Sequence, residues 1–368
     1  LRCIKKRLQR LKLYSLSYTL LTAPLPMIKC LQPLFFLLAF ASQLHAFAQK
    51  AEVENLVFEG AGIRGIAYAG AIAELEKKGL LSGVQRVGGT SAGAITAMLL
   101  SLGYSAAEIS EVIGKTDFKK LNDGQWAFAG GISRMRKVFG WYRGQRADQW
   151  LQHLIKAKTG NADITFAQLE QKGFKDLYVT GTSLNRQQLV LFSHEHFPNM
   201  PIKDAVRISM SIPFYFEAVF MDSSGKIYNN PTDKRGLDVM VDGGFTGNFP
   251  IWLFDSTKYI HADTPNAFIH NPHTLGFRLD SDAQIVADAA GKGLAPMPIN
   301  NLKEYGLAFY NMLLESLNRQ KLTEGDWART VSISDGALSP RIRRLSVAEI
   351  NTLVTNGSKA VQQYRQQE

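Results

Sequence analysis

One serine, one aspartate and two glycine-rich turns are the residues of this sequence best placed to do chemistry. The serine lies in Val87-Gly88-Gly89-Thr90-Ser91-Ala92-Gly93-Ala94-Ile95, which contains one G-x-S-x-G running from Gly89 to Gly93. Apolar Val84 and Val87 precede it, and a nearly unbroken apolar run from Ala94 to Leu102 follows. Strand, sharp turn and buried helix are the setting of a nucleophile elbow, in which the serine Oγ stands exposed at the head of a helix. The flanking glycines matter because such a turn leaves no room for a Cβ. The helix N-terminus adds unpaired N–H groups close to any oxyanion formed there.

The other pieces fit a serine nucleophile. Gly60-Ala61-Gly62-Ile63-Arg64-Gly65 is a turn between an apolar strand and a small-residue helix. Its backbone amides could face a developing oxyanion. Asp238-Val239-Met240-Val241 delivers Asp242 into Gly243-Gly244, a turn that permits close approach. An Asp-Gly turn with no chemistry is common. As a base, a carboxylate with an ordinary pKa of about 3.9 is weak, so Asp242 would need a partly dry site and close contact with Ser91.

Two other arrangements are weighed against this one. Gly60 to Gly65 also reads as the dinucleotide fingerprint G-x-G-x-x-G, which calls for an acid at the end of the next strand, roughly 20 residues on. The segment from Gly79 to Thr96 has no Asp or Glu, so a nicotinamide site is not expected. A Ser–acid–His hydrolase would place several strands before its elbow and a histidine in a late strand-end turn. Here one strand precedes the elbow, and none of His153, His194, His196, His261, His270 and His273 sits in such a turn.

The elements that must hold these groups alternate. Strands are predicted over 55–59, 84–88, 177–182, 189–192, 238–241, 274–279 and 331–333. Helices are predicted over 66–78, after Ser91, over 146–158 and 201–210, near 302–313 and over 346–365. Small residues along 66–78 would let that helix lie close on a sheet, and Gly79 ends it. Ser346 and Glu349 form a capping box. The β-turn-α-β-turn-α opening argues for parallel strands with right-handed crossovers, and the whole reads as α/β. From Asn122 to Tyr142, aromatics alternate with cations. This segment is either a cap with its aromatics turned inward or an interfacial patch meeting lipid.

Taken together, the elbow, the glycine turn, Ser209-Met210-Ser211-Ile212-Pro213 and Asp242-Gly243-Gly244 resemble the patatin-like phospholipase family of bacterial, exported type. The likeness extends over essentially all of residues 49–368. It implies a three-layer α/β/α sandwich with a mostly parallel central sheet, hydrolysing acyl esters of phospholipids or lysophospholipids without metal or cofactor. Carried onto this sequence, Ser91 is the nucleophile, Asp242 the base, and the amides of Gly60, Ala61 and Gly62 the oxyanion hole. Gly65, Gly89, Gly93, Gly243 and Gly244 support the motifs. Ala61 departs from the family, which often has glycine there; its methyl is tolerable unless the position needs positive φ. Arg64 matches a basic position in the turn and reads either as a phosphate contact or as a structural ion pair. Acyl transfer or neutral-ester hydrolysis by the same pair, or a catalytically silent lipid-binding protein, are the alternatives.

Composition separates the chain into two parts. Seven of the 42 basic residues, and no acid, precede residue 49, leaving 35 basic and 32 acidic residues in the remainder. That near balance gives no reason to expect a nucleic-acid partner. Met27-Ile28-Lys29, the apolar run from Leu31 to Ala41 and Ala46-Phe47-Ala48 have the layout of a secretory signal, with cleavage expected after Ala48. Residues 1–26 would then be an over-extended start. Both cysteines, Cys3 and Cys30, lie in this segment, so residues 49–368 hold no thiol for a disulfide, a zinc site or a nucleophile. Those residues are expected to form a single domain.

Overall fold

A computed structural model of the chain describes residues 53–124, 129–260, 267–319, 322–339 and 342–367. The expected signal segment and its cleavage site lie outside the described residues, as do Trp126, Phe128 and His261.

Eleven strands are present among the described residues: β1 (Asn55–Phe58), β2 (Arg86–Gly89), β3 (Gly140–Tyr142), β4 (Asp176–Ser183), β5 (Gln188–Phe192), β6 (Phe214–Phe216), β7 (Val219–Met221), β8 (Ile227–Tyr228), β9 (Asp238–Asp242), β10 (Thr274–Asp280) and β11 (Thr330–Ser334). The block β11-β10-β1-β2-β4 is parallel throughout. Antiparallel β5, β9, β7 and β8 extend it, and β3 pairs with β6 in a separate ribbon. A parallel sheet is covered on both faces, which is why Leu-Val-Phe in β1 and Leu-Gly-Phe in β10 run apolar without alternation.

The helices that position the site are α1 (Ala67–Lys77), α2 (Ala92–Ser101), α3 (Ala129–Val138), α4 (Gln145–Thr159), α5 (Ile202–Ser209), α6 (Leu302–Arg319) and α7 (Val347–Gln367). Helix α2 is apolar on all sides and buried from Gly93 to Ser101, as expected of a helix enclosed in a core. One face of the sheet, through Leu56, Phe58, Val87 and Val179, joins the main core with α1, α2, α5 and α7. The opposite face, through Val57 and Tyr178, packs against Phe249, Ile251, Leu253, Phe254 and Tyr259. The sheet thus lies between two layers, the second built largely from short 3₁₀ turns at Ile251–Phe254 and Thr257–Tyr259.

The small residues of α1 do not serve the contact expected of them. A Cβ on Gly70 would lie 1.8 Å from the Val354 carbonyl oxygen, and one on Gly357 would lie 2.0 Å from the Ala67 carbonyl oxygen. They let α7, not the sheet, approach closely. Ser346 caps α7 as expected, accepting from the Glu349 amide at 3.3 Å, while the Glu349 carboxylate accepts from the Ser346 amide at 2.8 Å.

Candidate active site

Strand register alone brings Ser91 and Asp242 together. Val179 of β4 pairs with Gly89 of β2 on one edge and Phe192 of β5 on the other. Gly181 pairs with Val190 of β5 and with Asp242 of β9. Strands β2 and β9 therefore share one edge of β4. β2 leaves it at Gly89, two residues before the elbow serine, and β9 ends on it two β4 positions further along. The Ser91 hydroxyl lies near enough to the Asp242 carboxyl to favour its ionised form.

Ser91 has φ 52° and ψ −117°, a left-handed backbone that L-residues avoid and that costs on the order of 1–3 kcal/mol. Packing enforces it. A Cβ on Gly93 would lie 2.2 Å from the Phe58 carbonyl oxygen, so α2 starts in van der Waals contact with β1. The amide of Ser91 donates to Ser209 Oγ at 2.8 Å, and Thr90 Oγ1 donates to the Gly247 carbonyl at 2.8 Å.

Asp242 is 6 % exposed. Burial pushes its carboxyl up to about 6, although the Gly244 amide, donating to Oδ1 at 2.8 Å, and the Ser91 hydroxyl both favour the ionised form. A base with that pKa is ionised at neutral pH yet far more basic than a solvated carboxylate. The Asp242 amide donates to the Ser211 carbonyl at 2.9 Å. The stretch Ser209-Met210-Ser211 therefore grips Ser91 through one residue and Asp242 through another.

The glycine turn departs from the expected hole in one respect. The Gly60 amide already donates to the Asn248 carbonyl at 3.1 Å. No backbone acceptor is found among the described residues for the amides of Ala61 and Gly62. Ala61 has φ −135°, so its methyl brings no strain, while Gly62 has φ 57° and carries the left-handed position. Gly60 lies against Ser91, where an added Cβ would be 3.3 Å from that of the serine. Arg64 forms an ion pair with Asp335 at 2.7 Å and donates through Nε to the Ala61 carbonyl at 3.3 Å. Of its two expected readings, the geometry matches the structural one.

Several supporting residues escaped the sequence reading. Asn248 Nδ2 donates to the Gly60 carbonyl at 3.1 Å, and its backbone amide donates to Asn318 Oδ1 at 2.8 Å, a tie to α6. Asn318 in turn donates to the Gly244 carbonyl at 3.2 Å, linking the two glycine turns. Glu59 lies fully buried beneath the loop, paired with the equally buried Arg278 at 2.9 Å and accepting from the Leu279 amide at 3.1 Å. A charged residue in each of two otherwise apolar stretches, Leu-Val-Phe-Glu and Leu-Gly-Phe-Arg-Leu, was the available signal.

Beside Ser91 an apolar pocket of about 90 Å³ opens, walled by Ile63, Ile66, Ile95, Ile113, Phe118, Leu121, Met210, Ile212 and Phe216. No histidine lines it among the described residues. Phe216 is thus pocket wall, while Phe214 is 70 % exposed and stands outside the core. Within the aromatic stretch from Asn122 to Tyr142, Tyr142 packs on Tyr215, while Phe139 and Ile132 are exposed.

A family model described as Patatin-like phospholipase matches residues 56–255, the span from β1 through the elbow to just beyond the Asp242 turn. The uncharacterized protein YqhO of Bacillus subtilis is 34% identical over 213 residues, covering 55% of this chain and 67% of the relative. The probable lipid hydrolase 463L of Invertebrate iridescent virus 6 is 28% identical over 204 residues, covering 54% of this chain and 62% of the relative. The crystal structure of VipD from Legionella pneumophila superposes with a TM-score of 0.50 at 17% identity, covering 86% of this chain and 67% of that one, a likeness of fold.

Proposed function

The chain belongs to the patatin-like phospholipase family, and from that premise we propose that it is a lipid acyl hydrolase of phospholipase A or lysophospholipase type. The observation that carries the reading is the strand register that sets the Ser91 elbow beside Asp242, with Ser91 at the wall of an apolar pocket. Asp242 accepts the Ser91 proton as Oγ attacks the acyl carbonyl. The amides of Ala61 and Gly62 stabilise the tetrahedral oxyanion, and the alcohol leaves. Water activated by Asp242 then hydrolyses the acyl-enzyme and restores the serine. The apolar pocket takes the acyl chain, since its walls offer no polar partner for a headgroup. A fluorophosphonate probe is expected to label Ser91, with labelling lost in Ser91→Ala. Ser91→Ala and Asp242→Asn should each lower acyl-ester turnover by about 10⁴-fold or more. Full turnover in Asp242→Asn would remove the base from the scheme.

The substrate is a lipid in a bilayer or micelle, and we assign the contact with it to the surface around Phe214. This ring stands between two residues of the pocket wall, Ile212 and Phe216, and is 70 % exposed. Phe214→Ser should slow hydrolysis of vesicle phospholipid while leaving a soluble short-chain ester unaffected. Equal loss on both substrates would place Phe214 in the fold, not at the membrane. The charged and apolar pattern of residues 27–48 supports export with cleavage near Ala48, which the N-terminal sequence of the mature protein tests.

A further inference from the structure

Arg207, on α5, is a buried cation with no buried anion beside it. Its residue is 8 % exposed. Nη1 donates to Ser211 Oγ at 2.5 Å, Nη2 donates to the Arg143 carbonyl at 2.9 Å, and the guanidinium lies 5.2 Å from the Phe216 ring centroid. All of these partners are neutral. Among the described residues no carboxylate reaches it at ion-pair distance; Asp148, Asp123 and Glu217 act only from further off. Burying an uncompensated charge is costly, so such groups are normally paired.

Arg207 forms part of the wall of a polar cleft of about 1230 Å³, distinct from the pocket at Ser91. The acids of that cleft are already committed. Lys203 holds Asp148 at 3.8 Å and Asp204 at 2.8 Å, and Arg134 lies 3.8 Å from Glu217. Lys137, Arg143 and Lys226 line the same space with no carboxylate at ion-pair distance among the described residues. Six cations (Arg134, Lys137, Arg143, Lys203, Arg207 and Lys226) and three acids (Asp148, Asp204 and Glu217) therefore line one cavity, an excess of three positive charges. Phe216 stands between the two cavities, meeting Arg207 with its ring and lining the acyl pocket.

We propose that this cleft binds a phosphate-bearing group, with Arg207 at its base and Lys137, Arg143 and Lys226 at its sides. A phosphate offers several charge-assisted acceptors at once, which a planar guanidinium and flexible ammonium groups satisfy together. The phosphate belongs either to a lipid headgroup or to a free anion, and both sources share this chemistry.

The test reads binding, not turnover, so it stands apart from the hydrolase reading; full-length Ser91→Ala protein keeps vesicles intact. Inorganic phosphate is titrated calorimetrically, and flotation compares phosphatidylcholine vesicles with and without phosphatidic acid. The exposed pair Lys137→Glu and Lys226→Glu is made together, and Arg207→Gln separately, with far-UV circular dichroism to verify folding. Binding of phosphate, or recruitment that depends on phosphatidic acid, is expected, weakened roughly tenfold or more by the double substitution as attraction becomes repulsion. Recruitment without phosphate binding assigns the site to a headgroup; phosphate binding without recruitment assigns it to a free anion. Absence of both, or binding that the double substitution leaves unchanged, overturns the proposal.

Discussion

Asp242 pays for its basicity in stability. Burial raises its folded pKa to about 6, so the fold favours the neutral carboxyl. The carboxylate is then destabilising above that pH by at most about 3 kcal/mol, and the penalty fades as pH falls from 6 toward 4, where folded and unfolded chains are both protonated. Two outcomes follow from the same shift. Turnover of a soluble ester, as kcat/KM, should fall as pH drops through about 6, because the protonated carboxyl accepts nothing. Asp242→Asn, inactive at every pH, should melt above the parent protein at pH 7.5 and together with it near pH 4. An equal difference in melting temperature at both pH values would mean that ionisation of Asp242 is not the source of the strain.

At the scale of elements, the site is a meeting of strand ends clamped by one helix terminus. Ser209 closes α5 and is wholly buried, and its hydroxyl accepts from the strained Ser91 amide at 2.8 Å. Ser209→Ala leaves that donor without a partner, at a cost of about 1–3 kcal/mol. Because the loss falls on the nucleophile's own backbone, kcat should drop about 10–100-fold with KM little changed; a change in KM alone would refer Ser209 to substrate binding. The elbow and the Asp242 turn were legible because each is local: glycines beside a serine, an apolar strand ending in Asp-Gly-Gly. Their neighbourhood was not. Asn248 meets Asn318 across 70 residues, and Glu59 meets Arg278 across parallel strands, so only the register of the sheet brings them together. The amide of Gly60 looked available for an oxyanion for the same reason: its acceptor, the Asn248 carbonyl, is distant in sequence.

Across the whole molecule, the glycine turn depends on the last helix described. Arg64, which holds the Ala61 carbonyl, is anchored by Asp335 just past β11. Asn356 on α7 donates to the Ser334 carbonyl at 3.1 Å beside it, and α7 is seated on α1 through Gly357 and Gly70. Sequence reading assigned the small residues of α1 to the sheet because nothing in α1 itself says which neighbour they admit. Gly357→Val puts a branched Cβ against the Ala67 carbonyl and must push the helices apart, an overpacking cost of about 1–3 kcal/mol or more. The melting temperature should fall by several degrees, on the scale of roughly 2–4 °C per kcal/mol for a domain of this size. The displacement passes through Asn356 and Asp335 to Arg64, so ester turnover should fall as well. The control is Asn351→Val on the exposed face of α7, which bears the same β-branched cost within a helix without the contact. If the two variants melt together and keep equal turnover, α7 does not hold the turn in place.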